Sequence, residues 1–169
     1  MSQRVCDRCI AQTVKGAPCA RRTCRTALCW QHLKKERGLR IKKSLEPNAG
    51  LGLFAARDFK RRERISAYSG DHLSLAQMKQ RYPKQDGKYV LCVGERCIDS
   101  RGSDNDAARF ANTTVPARTN KRNARLTKSF SLVARRAIPA GREVLTSYGS
   151  SYKLNAPGRK NMAFKSAGP

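Results

Sequence analysis

Residues 1–38 are polar and basic, with too few apolar positions to bury a core unaided. From Leu39 the pattern changes to short strands. Leu39-Arg40-Ile41-Lys42 alternates with period two and predicts a strand over 39–43, and 51–55 and 65–68 are brief apolar runs between turn residues. Residues 71–82 predict the one clear helix: Ser74 is a good N-cap, Leu75, Met78 and Tyr82 share a face, and Pro83 stops it. Strands resume at 89–93 and 96–99, joined by a tight turn at Gly94-Glu95, and again at 124–126 and 130–135. A turn at Pro139-Ala140-Gly141 feeds a last short strand that ends in Tyr148-Gly149. Residues 113–123 read as a basic surface loop, and the Gly-, Pro-, Lys- and Ser-rich stretch 154–169 reads as a basic tail. Together these elements predict an α+β, mainly β domain over 39–153, preceded by a small appendage at 1–38.

Charge narrows the partners. The 169 residues carry 36 Lys/Arg against 12 Asp/Glu, a net charge of +24. Residues 1–44 hold twelve Lys/Arg against Asp7 and Glu36, and 101–169 hold fourteen against three acids, whereas 45–100 hold ten against seven. An excess of this size concentrates polyanions around a protein, so nucleic acid or nucleosomes are the expected partners, contacted through the basic N-terminus. No apolar run approaches the ~18–20 residues of a membrane span, and the polar N-terminus has no signal-peptide core. An intracellular protein with no membrane contact is therefore expected.

Five of the seven cysteines, Cys6, Cys9, Cys19, Cys24 and Cys29, fall in the first 29 positions and are followed by His32. Without a secretory signal a disulfide framework is not expected, which leaves metal. Zinc would supply the stability that a short polar segment lacks, because ligand binding and folding are then one equilibrium. Cys6 is an alternative ligand to Cys19 through its Cys-x2-Cys spacing with Cys9, and Cys24 is a further alternative. Trp30 is expected to plug the small core rather than to stack on a base. Cys92 and Cys97, in the predicted hairpin, are expected to be core residues without metal. The run from Arg8-Cys9 through Gly16-Ala17-Pro18-Cys19 to Cys29-Trp30-Gln31-His32 resembles a small Cys-Cys-Cys-His zinc module of large DNA viruses and protists. That resemblance implies Cys9, Cys19, Cys29 and His32 as the tetrahedral ligands of a structural zinc.

Two further stretches carry a larger resemblance. The first half has Gly50-Leu51-Gly52-Leu53-Phe54-Ala55 and Ile65-Ser66-Ala67-Tyr68-Ser69-Gly70. The second runs from Ile98-Asp99-Ser100 through Asp104-Asn105-Asp106-Ala107-Ala108-Arg109-Phe110-Ala111-Asn112 to Ala140-Gly141-Arg142-Glu143-Val144-Leu145-Thr146-Ser147-Tyr148-Gly149. In this order they resemble a SET domain, the fold of protein lysine methyltransferases that use S-adenosylmethionine.

The resemblance implies a fold of short strands with a threaded C-terminal segment, S-adenosylmethionine as cofactor, and a lysine of a histone or other chromatin-associated protein as substrate. A nuclear or other chromatin compartment would follow from a histone substrate. It implies cofactor contacts at Gly50, Leu51, Gly52, Arg109, Phe110, Asn112 and Tyr148, and a lysine channel lined by the catalytic tyrosines Tyr148 and Tyr68. Three positions depart from the family: Thr113 stands where it has histidine, Ser147 where it has aspartate, and Leu126 where some members have tyrosine. The C-terminal cysteine clasp common in the family is also missing from the sequence. Tyr152, Met162, Phe164 or the second subunit of a homodimer would have to cover the channel instead. These departures define the rival expectation, a basic nucleic-acid-binding or packaging protein whose SET domain is weak or inactive.

Overall fold

The computed structural model describes residues 6–84, 87–102, 106–114, 120–148 and 165–166. The N-terminal segment pairs β1 (Asp7–Arg8) antiparallel with β2 (Arg22–Thr23) and continues into α1 (Trp30–Arg37). Three cations in the last turn of α1, Lys34, Lys35 and Arg37, oppose the negative end of the helix dipole. Gly38 closes α1, its N–H donating to the carbonyls of Leu33 and Lys34.

The expectation of no disulfides among the N-terminal cysteines is corrected, since Cys6 pairs with Cys24; Cys92 and Cys97, expected as core residues without metal, also form a disulfide. Strand register is the reason. Asp7 lies opposite Thr23, which brings the preceding and following cysteines face to face, and Cys92 lies directly opposite Cys97. In both pairs the α-carbons are 4.1 Å apart. Cellular redox context says nothing about such proximity.

β3 (Leu39–Lys43) pairs antiparallel with β4 (Leu51–Ala55). A second sheet joins β5 (Arg64–Ala67), β10 (Ala124–Leu126) and β11 (Ser131–Ala134) in the order β10-β11-β5. The segment expected to be all helix begins instead as β6 (Asp71–Ser74) and turns into α2 (Leu75–Arg81). Pairing to β8 (Arg96–Asp99) holds its first four residues extended, and Ser74 then caps the helix as expected. The Ser74 hydroxyl accepts the Gln77 N–H at 3.1 Å while Gln77 Oε1 accepts the Ser74 N–H at 2.8 Å, a reciprocal cap.

β7 (Val90–Val93) completes the predicted hairpin with β8. β13 (Lys165–Ser166), within the stretch read as a tail, adds parallel to β7. A 3-10 turn, Ala107–Phe110, precedes β9 (Asn112–Thr113), and β9 pairs in parallel with β12 (Leu145–Thr146). This parallel pair, two residues per strand, brings the two late motifs side by side.

One apolar cluster runs through the described residues from Cys9, Cys19, Leu28 and Leu33 to Leu39, Leu53, Phe59, Tyr68, Leu132 and Ile138. The N-terminal segment therefore packs on the same core as the strands. Among the described residues no helix is long and apolar enough to cross a membrane.

Candidate functional site: a sulfur-rich metal centre and a junction of three motifs

The β1–β2 turn region and the first turn of α1 bring Cys9, Cys19, Cys29 and His32 together, their ligand atoms all within 4.8 Å of one another. His32 Nδ1 lies 3.4 Å from both Cys9 Sγ and Cys29 Sγ, and the Cys29 N–H donates to Cys9 Sγ at 3.2 Å. Around a tetrahedral zinc with bonds of about 2.0–2.3 Å, neighbouring ligand atoms stand roughly 3.5–3.8 Å apart, so the cluster fits that ion with little movement. Burial raises the Cys9 thiol. Burial also raises Cys29, but hydrogen bonds, led by the His32 backbone, outweigh it and lower this thiol to about 7, favouring the thiolate a metal needs. All three cysteines are buried, as suits a closed structural site. The Cys6–Cys24 disulfide removes both alternative ligands left open by the sequence. Trp30 does not plug this centre: it is 65% exposed.

The second centre forms where three segments meet. The Asn112 amide donates to the Leu51 carbonyl at 2.9 Å and lies 3.4 Å from Glu143 Oε1. The Tyr148 hydroxyl donates to the Ala111 carbonyl at 3.1 Å and reaches Asn112 Oδ1 at 3.4 Å. Glu143, itself buried, accepts from the Ser44 hydroxyl at 2.6 Å and the Leu45 N–H at 2.8 Å. Asn123 completes the knot of contacts, donating to the Glu143 carbonyl at 2.8 Å and accepting the Leu145 N–H at 2.9 Å. Backbone pairing of 141–144 along β4, including Val144 N–H to the Leu53 carbonyl at 2.7 Å, sets this approach.

The glycines expected to touch a cofactor divide. Gly50 has φ +69° and open space where a side chain would begin, so a ligand can reach the backbone there. At Gly52 a β-carbon would overlap Glu143 Oε1, which makes the glycine a requirement of internal packing. Two fully buried hydroxyls, Ser100 Oγ and Thr146 Oγ1, have no hydrogen-bond partner among the described residues. The open backbone at Gly50 leaves room for a ligand's polar atoms to approach the main chain there, which fits a polar cofactor such as S-adenosylmethionine.

Other expected site residues are brought close but hold different positions. Arg109 is buried and directs its guanidinium to the carbonyls of Ser100, Gly102 and Arg25, the last at 2.6 Å, so it ties the metal segment to the strands. Its guanidinium also sits over the rings of Tyr89 and Phe110, at 5.1 and 4.9 Å. Tyr68 is buried, with its hydroxyl donating to the Tyr89 carbonyl at 2.9 Å. Burial and then the nearby Tyr148 push its phenol well above the usual range. Thr113 and Leu126 are buried, whereas Gly149, Tyr152, Met162 and Phe164 lie outside the described residues. Glu143 was legible in the sequence as the sole acid after Asp106, but its role needed the fold.

No curated protein matches the chain in sequence. Solved structures share its fold. One, of ctPRC2 in complex with H3K27me3, gives a TM-score of 0.59 at 21% identity over 78% of this chain and 16% of that one. An active polycomb repressive complex 2 in the stimulated state gives 0.57 at 17% identity, covering 80% and 18%. A humanized mutant of the Chaetomium thermophilum complex bound to an inhibitor gives 0.56 at 22% identity, covering 69% and 16%. The chain thus spans less than a fifth of the length of these neighbours, and the likeness is one of fold. The SET domain family model matches residues 50–149, more than half of the sequence and the very span over which β4, the 3-10 turn, β9 and β12 converge. With the motifs in order and their side chains joined in space, the chain belongs to the SET domain family.

Proposed function

We propose that this protein is an S-adenosylmethionine-dependent protein-lysine N-methyltransferase acting on a histone or other chromatin-associated protein, with one structural zinc held by Cys9, Cys19, Cys29 and His32. Family membership supports lysine methyl transfer as the kind of chemistry. The observation that carries the reading is the meeting of Tyr148, Asn112 and the Gly50–Gly52 strand end, segments far apart in sequence.

Bound S-adenosylmethionine would supply an activated methyl on a sulfonium. Methyl transfer is an in-line displacement, so the chain's task is to align the two reactants and exclude water. Leu51, Asn112 and the open backbone at Gly50 would hold the cofactor, and Asn112 would also lock the Leu51 strand end against the Tyr148 segment. Tyr148 would present its ring and hydroxyl beside the moving positive charge, with the hydroxyl already oriented by Ala111 and Asn112. Tyr68, buried beside it with its hydroxyl held by the Tyr89 carbonyl, would line the same lysine channel. The lysine must attack as free amine; with a reference pKa of ~10.4, deprotonation at neutral pH costs roughly 4–5 kcal/mol. A neighbouring sulfonium and a partly dry channel both disfavour the ammonium and reduce that cost.

The basic excess supports a second role, contact with nucleic acid through the N-terminal segment. It also resolves a conflict, since a strongly basic enzyme repels a free basic tail whereas nucleosomal DNA would bridge the two.

The test is methyl transfer to lysine followed by mass spectrometry, on nucleosomes, free histones and whole lysate. Wild type should transfer methyl from S-adenosylmethionine. Tyr148→Phe should fold and bind cofactor but turn over about 10²–10³ more slowly. Equal turnover by Tyr148→Phe would remove Tyr148 from the chemistry.

A further inference from the structure

The described surface holds one cleft that the methyl-transfer reading does not use. It measures about 540 Å³ and lies between β2, the loop that follows it, the start of α1 and β3, lined among others by Arg21, Arg22, Thr23, Arg25, Trp30 and Ile41. We propose that this cleft binds single-stranded nucleic acid, one base stacking on Trp30 and the adjoining phosphates pairing with Arg21, Arg22 and Arg25. The inference rests on the reading of the N-terminal segment as a nucleic-acid contact and narrows it; it does not depend on methyl transfer.

Charge sets the ligand's sign. Residues 20–37 contain six Lys/Arg and a single acid, Glu36. None of the ion pairs Arg57–Glu63, Arg81–Asp71 and Arg81–Asp99 involves a cleft arginine. Arg22 donates to the Cys6 carbonyl, and a guanidinium carries five N–H donors, which leaves others for phosphate.

Trp30 sets the ligand's class. An indole left 65% exposed beside cations is matched by a flat, anionic partner, and every unpaired base offers a π-face. An acidic peptide would pair with the arginines but leave the indole uncovered. A duplex hides its base faces and could engage only through phosphates.

The cleft is also preformed. The Thr26 hydroxyl donates to the Leu28 carbonyl at 2.6 Å and the Thr23 hydroxyl to the Thr26 carbonyl at 3.0 Å. The Cys6–Cys24 disulfide and the bond from Arg109 to the Arg25 carbonyl fix the same loop from both sides. A strand that binds therefore orders little protein, which favours affinity.

Trp30 is the sole tryptophan, so stacking reads directly as quenching of intrinsic fluorescence. The full-length, zinc-loaded chain would be titrated with an oligothymidine strand, an oligouridine strand, a duplex of the same length and thymidine monophosphate. Single strands should quench saturably, with a log–log salt slope of about −0.7 for each phosphate neutralised. Trp30→Ala, followed by anisotropy of labelled strand, should weaken binding roughly 5- to 150-fold, and Trp30→Phe should recover most of the loss. The Arg21→Ala/Arg25→Ala pair should flatten the slope by about 1.4. Zinc content and the thermal transition establish that each variant is folded. Three results would overturn the inference: duplex binding as tight as single strand without quenching, affinity unchanged in Trp30→Ala, or the mononucleotide binding as well as the strand. The first of these leaves the broader nucleic-acid contact standing. A protein that binds strands as described yet transfers no methyl keeps this inference and sinks the enzyme reading instead.

Discussion

The metal segment and the motif junction organise polar side chains in opposite ways. In the first, four potential ligand atoms gather within 4.8 Å at the edge of the shared apolar cluster, while Ile10, Val14 and Trp30 of the same segment are exposed. In the second, Glu143, Asn112, Tyr148, Asn123 and Ser44 each join two segments, over a floor of buried Leu53, Phe54 and Val144. A centre that depends on one ion should fail as a unit when a single ligand is lost. A distributed centre should weaken in steps, each set by the contacts removed.

Zinc loss should give the largest effect. Structural zinc is worth about 10–16 kcal/mol to small modules, so Cys29→Ser or His32→Ala should remove the metal and expose the amides of 6–37 to hydrogen exchange. The amides of β5, β10 and β11 should stay protected, although the shared apolar cluster and the Arg109–Arg25 contact should make them somewhat less so. Freshly purified, reduced wild type should hold one zinc per chain. Its absence on metal analysis would contradict the first half of the comparison.

Next in size is Glu143→Ala. It strips the charged acceptor from Ser44 and Leu45 and should cost about 3 kcal/mol in denaturant unfolding, since bonds to charged groups contribute ~1.5–3 kcal/mol each. Asn112→Ala should cost less, about 1–2 kcal/mol, through the orphaned Leu51 carbonyl, while also weakening cofactor binding. A stability loss without a binding loss would make Asn112 purely a clasp. Smallest is Trp30→Ala, whose exposed side chain should change stability by no more than about 0.5 kcal/mol. A loss of several kcal/mol would mean that the indole fills a core after all.

Local signals explain which parts of the fold were legible. Ser74 announces its cap from sequence because the hydroxyl and the Gln77 amide act within one turn. The 90–99 hairpin follows from two short apolar runs around Gly94-Glu95 for the same reason. The β9–β12 pair leaves no periodic trace, since two residues per strand are too few, and only the motif resemblance marks it. Cysteine partners depend on register, which the sequence does not state, so the Cys6–Cys24 and Cys92–Cys97 pairs leave no sequence signal; Cys9, Cys19, Cys29 and His32, implied by the resemblance to a zinc module, do come together in space. Arg109 carries information that the motif does not: it lies within the SET match, and its guanidinium clasps the carbonyl of Arg25, a residue of the N-terminal segment outside that match.

Under the proposed function, the junction of Leu51, Asn112 and Tyr148 binds S-adenosylmethionine for transfer to lysine. Titration calorimetry of the zinc-loaded wild-type chain with S-adenosylmethionine tests it most directly, with Asn112→Ala as the paired control. Wild type should bind saturably at one site per chain, and Asn112→Ala should bind clearly more weakly. No heat of binding from wild type even at millimolar cofactor would contradict it and leave the nucleic-acid-binding role in its place.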